Sequence, residues 1–174
     1  MDLSAFWRRR GTASARTGWL RTREMRPTDH GALTEVFDEL SAVSRYQRFH
    51  TSTPRMTAVM QRRLLDLDGI RHRALLAEAR EKDRWRPVGI ARYLLTGATQ
   101  AEVAIEVVDE WQGRGVGLVL LRQLCVEARH AGVDRLVGSV LPDNRRLAGL
   151  LREHFPQLAI SMCDGTMNVA LATG

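Results

Sequence analysis

Lysine is almost missing from this chain of 174 residues: Lys82 is the only one, so all but one of its 26 basic residues are arginine. A ratio of that kind is what coding bias alone produces, and it defines no binding motif. Cysteine is nearly as scarce. Cys125 and Cys163 have no second cysteine or histidine at ligand spacing, and the five histidines form no H-x-x-x-H pair. These absences exclude a zinc-finger scaffold and a disulfide framework, and no metal is expected. No apolar run approaches the roughly 20 residues that cross a membrane. The arginine triplet 8–10 is not followed by the apolar stretch of a signal peptide. Residues 1–18 therefore read as a flexible basic tail, 19–174 as one domain, and the protein as cytoplasmic with no membrane partner. The formal charge of +6 invites a nucleic-acid reading. The chain nevertheless lacks an aromatic-interleaved basic stripe and a helix-turn-helix pattern, so no nucleic acid is expected.

What is present is a regular alternation of periods. Residues 19–25 alternate as a first strand, and Arg26-Pro27-Thr28-Asp29 turns it into a helix capped by Thr28 or Asp29. Leu33, Val36, Phe37 and Leu40 recur at helical spacing. A second helical stretch includes 44–49 and a third runs over about 56–66. Apolar runs at 74–79 and 88–95, joined by the charged turn 81–84, predict an antiparallel hairpin. A strand at 101–108, a long helix at 118–130 and a strand at 135–141 follow. Pro142-Asp143-Asn144 opens a helix over 145–155, and 159–163 with 167–171 make a closing hairpin around Asp164-Gly165. The order β-α-α-α-β-β-β-α-β-α-β-β predicts an α/β or α+β domain with a mostly antiparallel sheet.

The most informative residues are Gln112-Gly113-Arg114-Gly115-Val116-Gly117, between the third inner strand and the long helix. Three glycines at every second position leave backbone N–H groups unshielded. The helix that follows aims its unpaired first-turn donors and positive dipole end at the same point. That is a cradle for a pyrophosphate or similar anion. Leu118 stands where a dinucleotide fingerprint needs its third glycine, and no G-x-x-x-x-G-K-[ST] is present.

The stretch from Val107 to Gly117 resembles the acyl-coenzyme A signature Q/R-x-x-G-x-G/A of the GCN5-related N-acetyltransferases, with Gln112, Gly115 and Gly117 at the defining positions. The resemblance extends over about 19–171. It implies a mixed, mostly antiparallel sheet splayed between its fourth and fifth strands, with acetyl-CoA as acyl donor held by 112–117 and by Asn144. A basic surface would help gather that polyanion. It also implies a backbone donor to the thioester oxygen, here Val107 or Val108, and a general base like the glutamate of histone-type members. Glu102 resembles that base, and Glu106 shares its strand face by two-residue alternation; either could instead be a solvated strand-edge charge. Such a base is needed because a lysine amine with a pKa of about 10.4 is protonated at neutral pH. The chain departs from the family where many members carry an acid tyrosine, since Leu150 or Leu151 fills that position.

Two further segments, Leu40-Ser41-Ala42-Val43-Ser44-Arg45-Tyr46-Gln47-Arg48-Phe49 and Arg71-His72-Arg73-Ala74-Leu75-Leu76-Ala77, resemble bacterial protein-lysine acetyltransferases that regulate AMP-forming acetyl-CoA synthetases. This resemblance implies a protein lysine as acceptor, an acyl-CoA synthetase as partner, and Arg45, Tyr46 and Phe49 as contacts to it. Tyr46 and Phe49 could also be core aromatics one helical turn apart. Acetylation of a small amine, or acyl-CoA sensing without catalysis, are the alternatives, and a homodimer is left open.

Overall fold

The computed structural model describes residues 20–52 and 55–174; the expected basic tail and Trp19 lie outside them. The expected order of elements is observed: β1 (Leu20–Glu24), α1 (His30–Asp38), α2 (Ala42–Phe49), α3 (Ala58–Leu64), β2 (His72–Glu81), β3 (Arg84–Leu95), β4 (Gln100–Val107), α4 (Val116–His130), β5 (Arg135–Val140), α5 (Arg145–His154), β6 (Ala159–Cys163) and β7 (Thr166–Ala172). A single 3-10 turn, Asp109–Trp111, links β4 to the glycine run.

The seven strands form one sheet in the order β1-β2-β3-β4-β5-β7-β6. Only β4 and β5 are parallel, and they pair just over Gln100↔Arg135, Ala101↔Leu136 and Glu102↔Val137. Above Glu102 the two strands part. Gly138 marks the floor of the gap, because a Cβ there would come within 3.2 Å of the Val103 carbonyl oxygen. The glycine lets the two backbones meet before they splay.

Alternation along the inner strands builds two cores. Leu75, Ala77, Ala91, Tyr93 and Ala101 face α4 and α5, whereas Ala74, Leu76 and Ile90 face α1. Helix α4 buries Val116, Val119, Leu120, Leu121, Leu124, Cys125 and Ala128. Burial pushes the Cys125 thiol up to about 11, which makes it a small core residue. Gly89 is required beneath this helix: a Cβ there would stand 3.0 Å from the Glu106 oxygen and 3.3 Å from Leu120 Cδ1.

Several expected boundaries shift for physical reasons. The β2–β3 hairpin is longer than its apolar runs, since its charged ends still pair down to Glu81↔Arg84. Its turn is Lys82-Asp83, with Lys82 at φ 55. Pro87 sits opposite Glu78, where the register shifts, which is where a residue without an N–H is tolerated. Asp29 is the residue before α1, yet its carboxylate does not cap that helix. It accepts instead from the Arg26 N–H at 2.7 Å and binds Arg23. The Arg23 guanidinium holds the Asp29 carboxyl below its usual range. Helix α4 begins at Val116, two residues earlier than its apolar period suggests, so the last residues of the glycine run form its first turn.

Candidate active site

The splay between β4 and β5 opens into a cleft of about 1130 Å³ that passes between the two faces of the sheet. One wall is aliphatic, with Leu118, Leu121, Leu147, Leu150 and Leu151 from α4 and α5. The opposite wall carries Ser44, Arg48 and Phe49 from α2, and Glu102 and Glu106 lie along β4 between them.

The glycine run stands at one end. Gly113 and Gly115 adopt φ 74 and 86, the left-handed region that side chains rarely enter, and Gly115 is the residue at which α4 starts. Gly117 has no such strain. A Cβ on it would meet Ile105 Cδ1 at 3.5 Å and Val107 Cγ2 at 3.7 Å, ordinary contact distances, so neither backbone conformation nor protein packing requires glycine there. Val116 is buried in the core and does not line the cleft. Arg114 lies 5.0 Å over the Trp111 ring, at the edge of the run. Asn144 begins α5: its Oδ1 accepts from the Leu147 N–H at 3.1 Å, while its amide N–H groups have no partner among the described residues.

Backbone groups of β4 complete the lining. The Val108 N–H donates to the Val88 oxygen at 3.0 Å and is committed to the sheet. Donors alternate sides along an antiparallel strand, so the N–H groups of Ile105 and Val107 point to the opposite edge, where β5 has already turned away. Of the two expected oxyanion donors, Val107 is the one whose N–H faces the gap. An unpaired strand edge of this kind suits an extended polar chain laid beside it. The glycine run, the unpaired edge and the aliphatic wall thus adjoin one another along a single cleft.

The two expected carboxylates have opposite surroundings. Glu102 is exposed in the cleft, with no hydrogen-bond or ion-pair partner among the described residues. The Glu106 side chain is 4% exposed and held by Arg48 Nε at 2.5 Å and Arg92 Nη2 at 3.2 Å. Burial alone would raise its pKa; Arg48 and Arg92 outweigh that and hold it below the usual carboxylate value.

The expected acceptor contacts divide similarly. Phe49 lines the cleft and packs on Phe37 with ring centroids 5.8 Å apart. Arg45 lies 5.3 Å over the Phe37 ring, and Tyr46 is 50% exposed; neither lines the cleft. His72 is buried, with Nδ1 at 2.8 Å from the Asp66 oxygen, and burial lowers its pKa. It supports the start of β2 and does not reach the cleft. Leu151 is buried and Leu150 half-buried, both on the aliphatic wall, so the missing tyrosine is replaced by apolar surface.

Sequence reading missed the residues around Gln112. Its Nε2 donates to the Val107 oxygen at 3.0 Å and to Ser44 Oγ at 3.1 Å, and its Oε1 accepts from Arg146 at 3.0 Å. Asp109 accepts from the Ser41 N–H, Ser41 Oγ and Ser44 Oγ at 2.9, 2.8 and 3.0 Å. Ser41 and Ser44 stood out only as part of the family resemblance; their partner Asp109, 65 or more residues away, carries no local signal.

A splayed mixed sheet with a glycine cradle at the parting of its two parallel strands defines an acyl-coenzyme A-binding acyltransferase fold. Residues 33–155 match the Acetyltransferase (GNAT) family, and the chain belongs to that family, whose acyl donor is acetyl-CoA. It is 32% identical over 139 residues to Acetyltransferase Pat of Mycolicibacterium smegmatis, covering 78% of this chain and 41% of that protein. It is 29% identical over 129 residues to an acetyltransferase of Pseudomonas aeruginosa, covering 74% of this chain and 69% of the relative. The crystal structure of the GNAT domain of S. lividans PAT superposes with a TM-score of 0.79 at 26% identity, over 88% of this chain and 90% of that domain. The chain thus spans about two fifths of the mycobacterial relative and nearly all of the Streptomyces domain.

Proposed function

We propose that the protein transfers an acetyl group from acetyl-CoA to a lysine side chain of another protein, an acyl-CoA synthetase, by direct attack while both are bound. The observation that carries this reading is the likeness to Pat proteins across the chain. It is supported by a cleft open to both faces of the sheet, with an unpaired carboxylate between them. The same reading implies a cytoplasmic protein.

Acetyl-CoA, when bound, supplies an acyl group already activated as a thioester. The remaining work falls to the chain. Removing the proton from a lysine ammonium at pH 7 costs about 4.6 kcal/mol, so a base must be at hand. Glu102 is that base: it is exposed in the cleft and unneutralised. It takes the proton directly or through water as the nitrogen bonds to the carbonyl carbon. Glu106 is already claimed by two guanidinium groups and serves as an anchor, not a base. The Val107 N–H is the donor to the carbonyl oxygen as its charge grows. As the carbon–sulfur bond breaks, the thiolate leaves with the bonding pair. Leu151 offers it no proton, and the ordinary thiol pKa of about 8.5 makes an unassisted departure feasible.

The test is to incubate the protein with labelled acetyl-CoA and a panel of acyl-CoA synthetases, lysine peptides and small amines. Label on a synthetase lysine is expected; efficient labelling of small amines with none on a synthetase would replace this reading by small-amine acetylation. Glu102→Gln is expected to lower turnover on the order of 10²-fold with acetyl-CoA affinity nearly intact. Equal loss of coenzyme binding would make Glu102 structural.

A further inference from the structure

Helix α2 walls the acceptor side of the cleft, yet none of its eight residues is buried. Its attachment is polar at both ends. At its start, the Asp109 carboxylate takes the Ser41 N–H and the hydroxyls of Ser41 and Ser44. In its last turn, Arg48 reaches the buried Glu106. Both carboxylates belong to β4 or the turn that ends it, the segment whose free N–H groups edge the cleft. The network is complete: each serine hydroxyl donates to Asp109 and accepts once, Ser41 from the Ser44 N–H at 3.1 Å and Ser44 from Gln112 Nε2. Gln112 then continues to Val107 and Arg146, so one chain of hydrogen bonds runs from α2 through the cradle to α5.

We infer that Asp109 and Ser44 are positioning residues for the acceptor: together with Gln112 they clamp α2 to the coenzyme strand and so set the acceptor wall relative to the cradle. The side chain of Gln112, with both amide hydrogens donated within the protein and its oxygen accepting from Arg146, acts as the hub of this clamp, and its contribution to the coenzyme is through the backbone. The Arg48–Glu106 pair and the contact of Phe49 on Phe37 remain when the Asp109 end is cut, so α2 should loosen while the sheet stays folded. Satisfied networks of this kind are cooperative, and removal of one member weakens the others.

Hydrogen exchange of the full chain, with and without acetyl-CoA, tests the inference. In Asp109→Ala, amides of 42–49 should exchange about tenfold faster or more, with those of α4 unchanged. The affinity for acetyl-CoA should stay within about twofold, because no cradle group is removed. Ser44→Ala should give a smaller increase, and Ser44→Thr, which restores the hydroxyl, should return α2 to its original protection. With an acyl-CoA synthetase as acceptor, Ser44→Ala should raise the acceptor KM roughly five- to tenfold and change kcat less, and Ser44→Thr should reverse it. Unchanged α2 exchange in both Asp109→Ala and Ser44→Ala would overturn the clamp. So would a loss of acetyl-CoA affinity as large as the loss of α2 protection. The kinetic arm rests on the lysine-acceptor reading and the exchange arm does not. Looser α2 with no synthetase labelled would therefore keep the clamp and remove only the acceptor.

Discussion

Helices α4 and α2 flank the same strand, β4, and are attached to the protein by opposite means. Helix α4 buries seven residues of its 15 in a continuous apolar stripe; α2 buries none of its eight and is held by hydrogen bonds and ion pairs. An apolar interface is a sum of many small terms, each about 1.5–3 kcal/mol for a buried aliphatic side chain, and loses them one at a time. A polar clamp has few members and fails when one is removed. The rigid helix supplies the cradle, where a fixed array of backbone donors is needed. The polar one walls the opposite side of the cleft, where a wall that can adjust costs less than a repacked core.

Four substitutions or conditions would break or sharpen that contrast. The largest effect is expected from Glu106→Gln, which leaves Arg48 and Arg92 without their buried counter-charge; a destabilisation of about 3–5 kcal/mol is expected by denaturant titration. Exchange should rise first in 42–49. Uniform loosening of α2 and α4 would mean that the two helices are held as one unit. Leu124→Ala, fully buried on α4, should cost about 2–5 kcal/mol. Here exchange should rise throughout the sheet and α4 together, with no selective release of α2.

Acid should distinguish the two attachments without mutation. The Glu106 carboxyl is held below its usual pKa, chiefly because Arg48 and then Arg92 overcome the cost of burying it. A lowered folded-state value means that its contribution is present above the unfolded pKa and is lost as pH falls through the folded one. Stability should accordingly decline below about pH 4, with α2 amides losing protection before those of α4. Glu106→Gln should flatten that decline; an equally steep profile would assign the acid sensitivity to other carboxylates, such as Asp29 beside Arg23. The smallest effect is Gly117→Ala. Its Cβ fits at ordinary contact distances, and the helix should gain at most about 1 kcal/mol. With the coenzyme at the proposed 112–117 site, acetyl-CoA affinity by calorimetry should fall while stability does not.

Much of the fold was legible because it rests on local periodicity. Leu120, Leu121, Leu124 and Ala128 announced α4, and the alternation at 101–108 announced β4 to within one residue. The glycine run was read for its unshielded N–H groups; the structure adds that Gly113 and Gly115, at φ 74 and 86, also need the lack of a side chain for their backbone. The candidate site was legible only in part. Glu102 and Glu106 look alike four residues apart on one strand, and alternation puts them on one face. What separates them is Arg48, 58 residues away, and Arg92 on the neighbouring strand. Arg45 and Tyr46 were expected at the acceptor beside Phe49; they share its helix face by spacing, but Arg45 is taken up by the Phe37 ring and Tyr46 stands in solvent, so only Phe49 lines the cleft.

By itself the sequence determined the succession of elements, the glycine turn before α4 and the family, because each depends on neighbours along the chain or on residues without side chains. Only the tertiary structure decided which carboxylate is free, which backbone N–H faces the gap and what holds α2. Those properties belong to pairs of groups distant in sequence, such as Asp109 with Ser41 and Val108 with Val88. A carboxylate's availability is fixed by the cations and the water around it, and a hydrogen-bond donor's availability by the strand beside it.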